Sequence, residues 1–168
     1  SQLSPLQKLM EAQGRIVYSM SFSGHGGVMV SKDGFSIQIF SEDVHTFLAQ
    51  HQIPLIDIFG YSMGGYVALW LAHQYPEKVG KIYTLGTKFD WSEENAEKET
   101  RKLNPEKIEE KVPAFAKTLA DRHHPLDWKE MMHNTASLMK SLGSKPLLNA
   151  AVLSSIQTTT MIAVGDQD

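Results

Sequence analysis

Apolar positions along this chain follow two different periods, and the change between them divides it. In the first half the apolar runs are short and bounded by glycine or proline. Residues 15–22 carry Ile16, Val17, Tyr18, Met20 and Phe22, residues 55–59 form a second run, and residues 81–85 a third. Runs of this length without polar alternation predict strands buried on both faces, as in a parallel sheet. Helical stretches lie between them. Ser4 and Pro5 predict the cap and first position of an opening helix that Gly14 ends. Ser41 is placed to cap a second helix, with Glu42 and Asp43 in its first turn and Val44, Phe47, Leu48 and His51 on one face. A third runs on from Tyr66 until Pro76 stops it. Residues 28–40 read equally as a hairpin around Asp33-Gly34 or as a long loop. Strands and helices alternating at these spacings predict right-handed crossovers onto a parallel sheet.

After Gly86 the strands give way to helices, expected over 92–103, 105–112, 113–121, 126–142 and 146–154, before residues 160–164 return to strand. The longest helix carries Trp128, Met131, Met132, Thr135, Leu138, Met139 and Leu142 on one stripe. Packing core is the plain reading of that stripe. The other is an adaptable apolar pocket, because unbranched thioethers repack around varied ligands.

Composition narrows the class of partner more than the fold. The chain has 168 residues, 42% hydrophobic and 21% charged, enough for one domain with one core. A net charge of −3 gives no electrostatic case for nucleic acid or an anionic membrane. With no cysteine there is neither a disulfide nor a thiolate metal site, which is compatible with the expected cytoplasmic location. No run is apolar for long enough to span a membrane. Nothing in the sequence sets an oligomeric state.

The candidate chemistry sits where the second apolar run meets its helix. Gly60-Tyr61-Ser62-Met63-Gly64-Gly65 is a Gly-x-Ser-x-Gly-Gly turn between strand and helix, the context of a nucleophile elbow. Such a turn projects the serine hydroxyl above the sheet with backbone N–H groups beside it. Side chains at Gly60 or Gly64 are expected to collide across the turn, and Gly65 to let the helix lie close to the strand. A dinucleotide fingerprint wants glycine where Ser62 stands, and a phosphate-binding loop wants Lys then Ser or Thr where Tyr66 and Val67 stand. His25, between glycines, and His123-His124, before Pro125, read as loop-fixing polar residues rather than ligands, and no metal is expected. His45 and His51 read as structural or surface residues. Asp166 and Asp168 follow the last strand at the same sheet edge as Ser62.

These pieces together resemble the α/β-hydrolase superfamily: Ser-Gly-His-Gly-Gly after a strand, the Gly-Tyr-Ser-Met-Gly-Gly elbow, Tyr-Pro-Glu-Lys-Val after its helix, a helical insertion, and Gly-Asp-Gln-Asp after a late strand. The resemblance implies an α/β fold, a mostly parallel sheet flanked by helices, with residues 1–86 and 157–168 as core and 87–156 as a helical cap. It implies Ser62 as nucleophile, the Met63 N–H as one oxyanion donor, and Asp168 as the acid, with Asp166 and Asp90 as alternatives. Tyr61, Trp128, Met131 and Met132 are the residues expected to line the substrate pocket. The implied activity is a serine hydrolase on a carboxylic ester or related acyl compound, a small-molecule substrate, with no cofactor. A serine at position 62 argues against the branches that carry a nucleophilic aspartate there. The alternative is a non-catalytic ligand-binding or signalling protein on the same scaffold. The family order is Ser, acid, His, and no histidine follows Asp168. The strand implied before residue 1 would lie between the strand at 15–22 and the elbow strand. A longer enzyme, with further residues at both ends, is therefore expected.

Overall fold

The structure, a computed structural model, describes residues 3–165. Helix α1 (Ser4–Ala12) begins with Leu3 at the cap position and Pro5 inside the first turn, one residue earlier than the cap at Ser4 implies. Residues 15–22 then form neither strand nor helix, against expectation, and Ile16 is 82% exposed. An apolar run becomes a strand only where a neighbour completes its ladder. Among the described residues no strand pairs with it.

Helix α2 (Ile37–Gln50) starts earlier than the Ser41 cap suggests. Ser36 is the N-cap, its Oγ accepting the Ile39 N–H at 3.3 Å, and Ser41 lies buried in the second turn. The alternation Phe35-Ile37-Ile39 is thus a helix entry, and Ile37 and Phe40 are among the most buried side chains. Of the hairpin only an isolated bridge, Ser31 to Gly34, remains.

Strand β1 (Ile56–Tyr61) leads into α3 (Met63–Gln74), and a single 3-10 turn then carries the chain into β2 (Val79–Leu85). Helices α4 (Glu93–Thr100), α5 (Pro105–Lys111), α6 (Pro113–His123), α7 (Trp128–Ser144) and α8 (Ala150–Ser155) precede β3 (Thr159–Ala163). Side-chain caps set several of these starts: Ser92, Asn104, Asp127 and Asn149 each accept an N–H two or three residues on. The last two shift the expected starts at 126 and 146 to α7 and α8 as observed.

The three strands form a parallel sheet in the order β1-β2-β3, with Ile58 opposite Ile82 and Ile82 opposite Thr160. Helix α3 is apolar on all sides and therefore buried, lying between the sheet and α2. Around it gather Ile37, Phe40, Val79, Ile82, and Leu138 and Leu142 of α7. A second cluster, Ala116, Leu119, Trp128 and Met132, joins α6 to the first turns of α7. Among the described residues no helix is long and apolar enough to cross a membrane.

Candidate active site

Ser62 sits at the tip of the β1–α3 turn at φ 50°, ψ −117°. A non-glycine residue pays about 1–3 kcal/mol for such a backbone and keeps it only where its surroundings hold it. Three hydrogen bonds do so. The Ser62 N–H donates to the Leu85 carbonyl at the end of β2 at 2.8 Å. The Ser62 carbonyl accepts from the Gly65 N–H at 3.1 Å and from the Thr87 hydroxyl at 2.9 Å.

The glycines around it divide by what a side chain would meet. A Cβ on Gly60 would lie 2.5 Å from the Gly65 Cα and 2.6 Å from the Gly64 carbonyl carbon, so β1 and α3 can cross only over a bare backbone. A Cβ on Gly65 would lie 3.0 Å from the Thr84 side chain and nearer still to the Thr87 hydroxyl, which is how α3 comes down onto β2. Gly64 corrects the expectation of a collision there: nothing lies within 4 Å of its would-be side chain.

Ser62 is exposed and borders a groove of about 50 Å³. Ile37 of α2, Met63 and Tyr66 of α3, and Lys88 and Trp91 of the β2–α4 connection line one part of it. Thr135, Leu138, Met139 and Leu142 of α7 line the rest. Helix α3 begins at Met63, so the Met63 N–H has no carbonyl within the helix to bond, and the positive end of the helix dipole falls beside Ser62.

The other expected pocket residues lie elsewhere. Trp128 and Met132 are buried in the α6–α7 cluster, with Met131 packed against it, and Tyr61 is 51% exposed at the end of β1. The stripe on α7 therefore splits. Its first turns are core between helices, and the turns from Thr135 onward face the groove, because the helix passes from one packing partner to the next along its length. Asp90 is exposed, and its carboxylate accepts the Asn95 amide at 2.8 Å. Asp166 and Asp168 lie outside the described residues. Thr87, Lys88 and Trp91 escaped the sequence reading because loop positions carry no period; their one signal is that they follow the strand beside the elbow.

His25 and His123 form a separate pair 6.1 Å apart between ring centres. The ring of His25 stacks on Phe35 and meets Phe40 edge-on, with its Nδ1 3.2 Å from the Ser23 carbonyl. Asp43 accepts both the Ser23 N–H, at 2.7 Å, and its hydroxyl, at 2.8 Å. On α6, His123 is 5% exposed and its Nδ1 accepts the Gly26 N–H at 3.2 Å. That bond needs a lone pair, so the ring is neutral with its proton on Nε2. Burial lowers both histidines below their ordinary 6.5; the Ser23 carbonyl and Asp43 oppose this at His25, and Arg122 adds to it at His123. The loop-fixing reading of both histidines fits these contacts, though His123 is helical rather than in a loop. No hydrogen bond of a histidine among the described residues reaches Ser62, and no group of three His, Asp or Glu among them is placed to hold a metal.

Solved structures share this architecture. A carboxylesterase of the thaumarchaeon Nitrososphaera gargenis is 18% identical with a TM-score of 0.71, over 98% of this chain and 66% of that one. NosK from Streptomyces actuosus is 18% identical with a TM-score of 0.71, over 95% and 69%. A thermophilic esterase from Thermogutta terrifontis is 19% identical with a TM-score of 0.58, over 86% and 59%. A protein of Cyberlindnera fabianii described as a "probable alcohol acetyltransferase" is 38% identical over 64 residues, 36% of this chain and 16% of its own length. This chain thus spans 66% of the first structure and a smaller share of that acetyltransferase. The strand–elbow–helix unit, the parallel sheet and a family model matching residues 2–168 agree: the chain belongs to the alpha/beta hydrolase fold family.

Proposed function

We propose that this chain carries the nucleophile of a serine hydrolase that cleaves a carboxylic ester or related acyl compound through an acyl-enzyme intermediate. The observation that carries the reading is the backbone of Ser62, held at φ 50°, ψ −117° by bonds from Gly65 and Thr87 and to Leu85. Strain maintained by so many contacts at an exposed hydroxyl favours a reactive role over an incidental turn.

In this reading the Ser62 Oγ attacks the acyl carbon while a histidine takes its proton. The carbonyl electrons move onto oxygen, and the Met63 N–H stabilises that charge, a kind of contribution that reaches about 3–4 kcal/mol where one donor has been removed. The tetrahedral centre collapses, the alcohol leaves with the proton from histidine, and water repeats the sequence to release the acid. Asp168 is the favoured partner of that histidine, with Asp166 and Asp90 as alternatives. The bond from Asn95 and the exposure of Asp90 weigh against the last. Residues 87–156 act as the cap, α7 closing the groove with Leu138 and Met139.

Full-length protein treated with a fluorophosphonate probe is expected to label rapidly at one site, and Ser62→Ala to lose the label. No label in the parent protein leaves the non-catalytic binding reading, and labelling that survives Ser62→Ala overturns Ser62 as the nucleophile. The likeness to an acetyltransferase favours a second fate for the acyl-enzyme, discharge to an alcohol instead of water. Adding an alcohol and measuring new ester against free acid separates the two.

A further inference from the structure

Among the described residues, Lys88 is the one cationic residue lining the groove that Ser62 borders, and the structure shows how it is held. Lys88 directly follows Thr87, whose hydroxyl bonds the Ser62 carbonyl, so the stem of the lysine is tied to the elbow by one residue. From the other side the Trp91 indole N–H donates to the Lys88 carbonyl at 3.1 Å, and the ammonium lies 5.8 Å from the centre of the Trp91 ring. Its one ionic partner among the described residues, Glu99, is shared. Oε1 of Glu99 meets Lys88 at 3.4 Å, while Oε2 meets Lys102 at the shorter 2.8 Å. Glu99 is thus divided between two ammonium groups, and the longer contact, to Lys88, is the easier to give up. Of the other lining residues, Ser62, Tyr66, Trp91 and Thr135 carry polar groups, the last three hydrogen-bonded to Leu148, Lys88 and Met131 respectively, and the rest are apolar.

We propose that Lys88 makes this groove selective for acyl substrates that carry a carboxylate on the acyl chain, binding that carboxylate while Ser62 meets the ester carbonyl. The proposal rests on the reading of Ser62 as nucleophile and adds a substrate class to it. The apolar walls take the short methylene spacer, and the carboxylate replaces Glu99 as the closer partner of the ammonium. A purely structural lysine, clamping the loop to α4, would leave substrate choice untouched.

The test uses the full-length protein and two para-nitrophenyl esters of equal acyl length, the glutarate monoester and the valerate ester. The parent enzyme is expected to favour the glutarate monoester in kcat/KM. In Lys88→Met the ratio of the two kcat/KM values should fall about tenfold, the scale of one hydrogen bond to a charged group, and Lys88→Arg should regain most of it. Thermal melts of both variants exclude misfolding as the cause. A ratio that Lys88→Met leaves unchanged, or a parent enzyme that prefers valerate, overturns the proposal while the hydrolase reading stands. If neither ester turns over, fluorophosphonate labelling at Ser62 decides the hydrolase reading, and titration calorimetry with glutarate decides the carboxylate site separately. Binding by the parent that is lost in Lys88→Met upholds the carboxylate site, and no binding overturns it.

Discussion

Ser62 keeps a backbone that its own Cβ disfavours, and that cost can be measured apart from the hydroxyl. Ser62→Ala and Ser62→Gly both remove the nucleophile, but only glycine adopts φ 50°, ψ −117° without strain. Ser62→Gly should therefore be more stable than Ser62→Ala by about 1 kcal/mol, after allowing for the entropy glycine adds to the unfolded chain. An alanine variant at least as stable as the glycine one in urea melts would mean the turn is relaxed. Gly60→Ala goes the opposite way. Its methyl group would meet the backbone of Gly64 and Gly65, which no side-chain rotation relieves, so a loss of about 1–3 kcal/mol is expected in the same melts. Thr87→Val removes one of the two bonds to the Ser62 carbonyl with little change in volume. It should lower kcat with KM nearly unchanged, since the elbow that aims the hydroxyl loosens while the groove keeps its walls; an effect on KM alone would assign Thr87 to substrate binding instead.

Among the elements, α6 and the loop 23–27 are joined by a bond that acid breaks. Burial holds His25 and His123 below 6.5, so as the pH falls through 6.5 the unfolded chain takes up protons that the native protein refuses. The stability from the neutral rings is complete above 6.5 and is lost on the acid side, down to the lowered native values. His123→Asn keeps an acceptor near the Nδ1 position and removes the titration. Urea midpoints from pH 8 down to 5 should then fall less steeply than in the parent, and an equally steep fall would clear His123 of the effect. Helix α6 itself was legible from Pro113 and the composition, yet its partner across 97 residues was not, because no local pattern encodes which loop a helix end will meet. The elbow was legible almost whole, since turn, strand and helix each constrain a few adjacent residues. The start of α2 was misread because Ser36 and Ser41 are equal as caps in sequence, and only the burial of Ile37 and Phe40 decides between them. Residues 15–22 have the composition of a strand, but strand formation belongs to the pair, not to the segment.

At the scale of the molecule, α7 is, among the described residues, the one helix that takes part in both apolar clusters, and the two need not unfold together. Its early residues Trp128 and Met132 pack with Ala116 and Leu119 of α6, while Leu138 and Leu142 join α3 and the sheet in the larger core. The stretch 87–156 proposed as the cap thus holds one part with a core of its own and one that shares the core of the sheet. Leu138→Ala opens a cavity among the residues that define the sheet's covered face and should cost about 2–5 kcal/mol of global stability. Met132→Ala removes a side chain of similar burial from the smaller cluster. Its loss should be felt locally: in hydrogen exchange, amides of α5 and α6 lose protection while those of β2 and α3 keep theirs. Leu138→Ala should lower protection in all four elements. Equal loss in β2 and α3 from Met132→Ala would mean that α7 transmits the damage and that the two clusters form a single cooperative unit. In the expected outcome, α5 and α6 open while Ser62 and the helix end beside it stay in place, because neither helix contributes a residue to the lining of the groove.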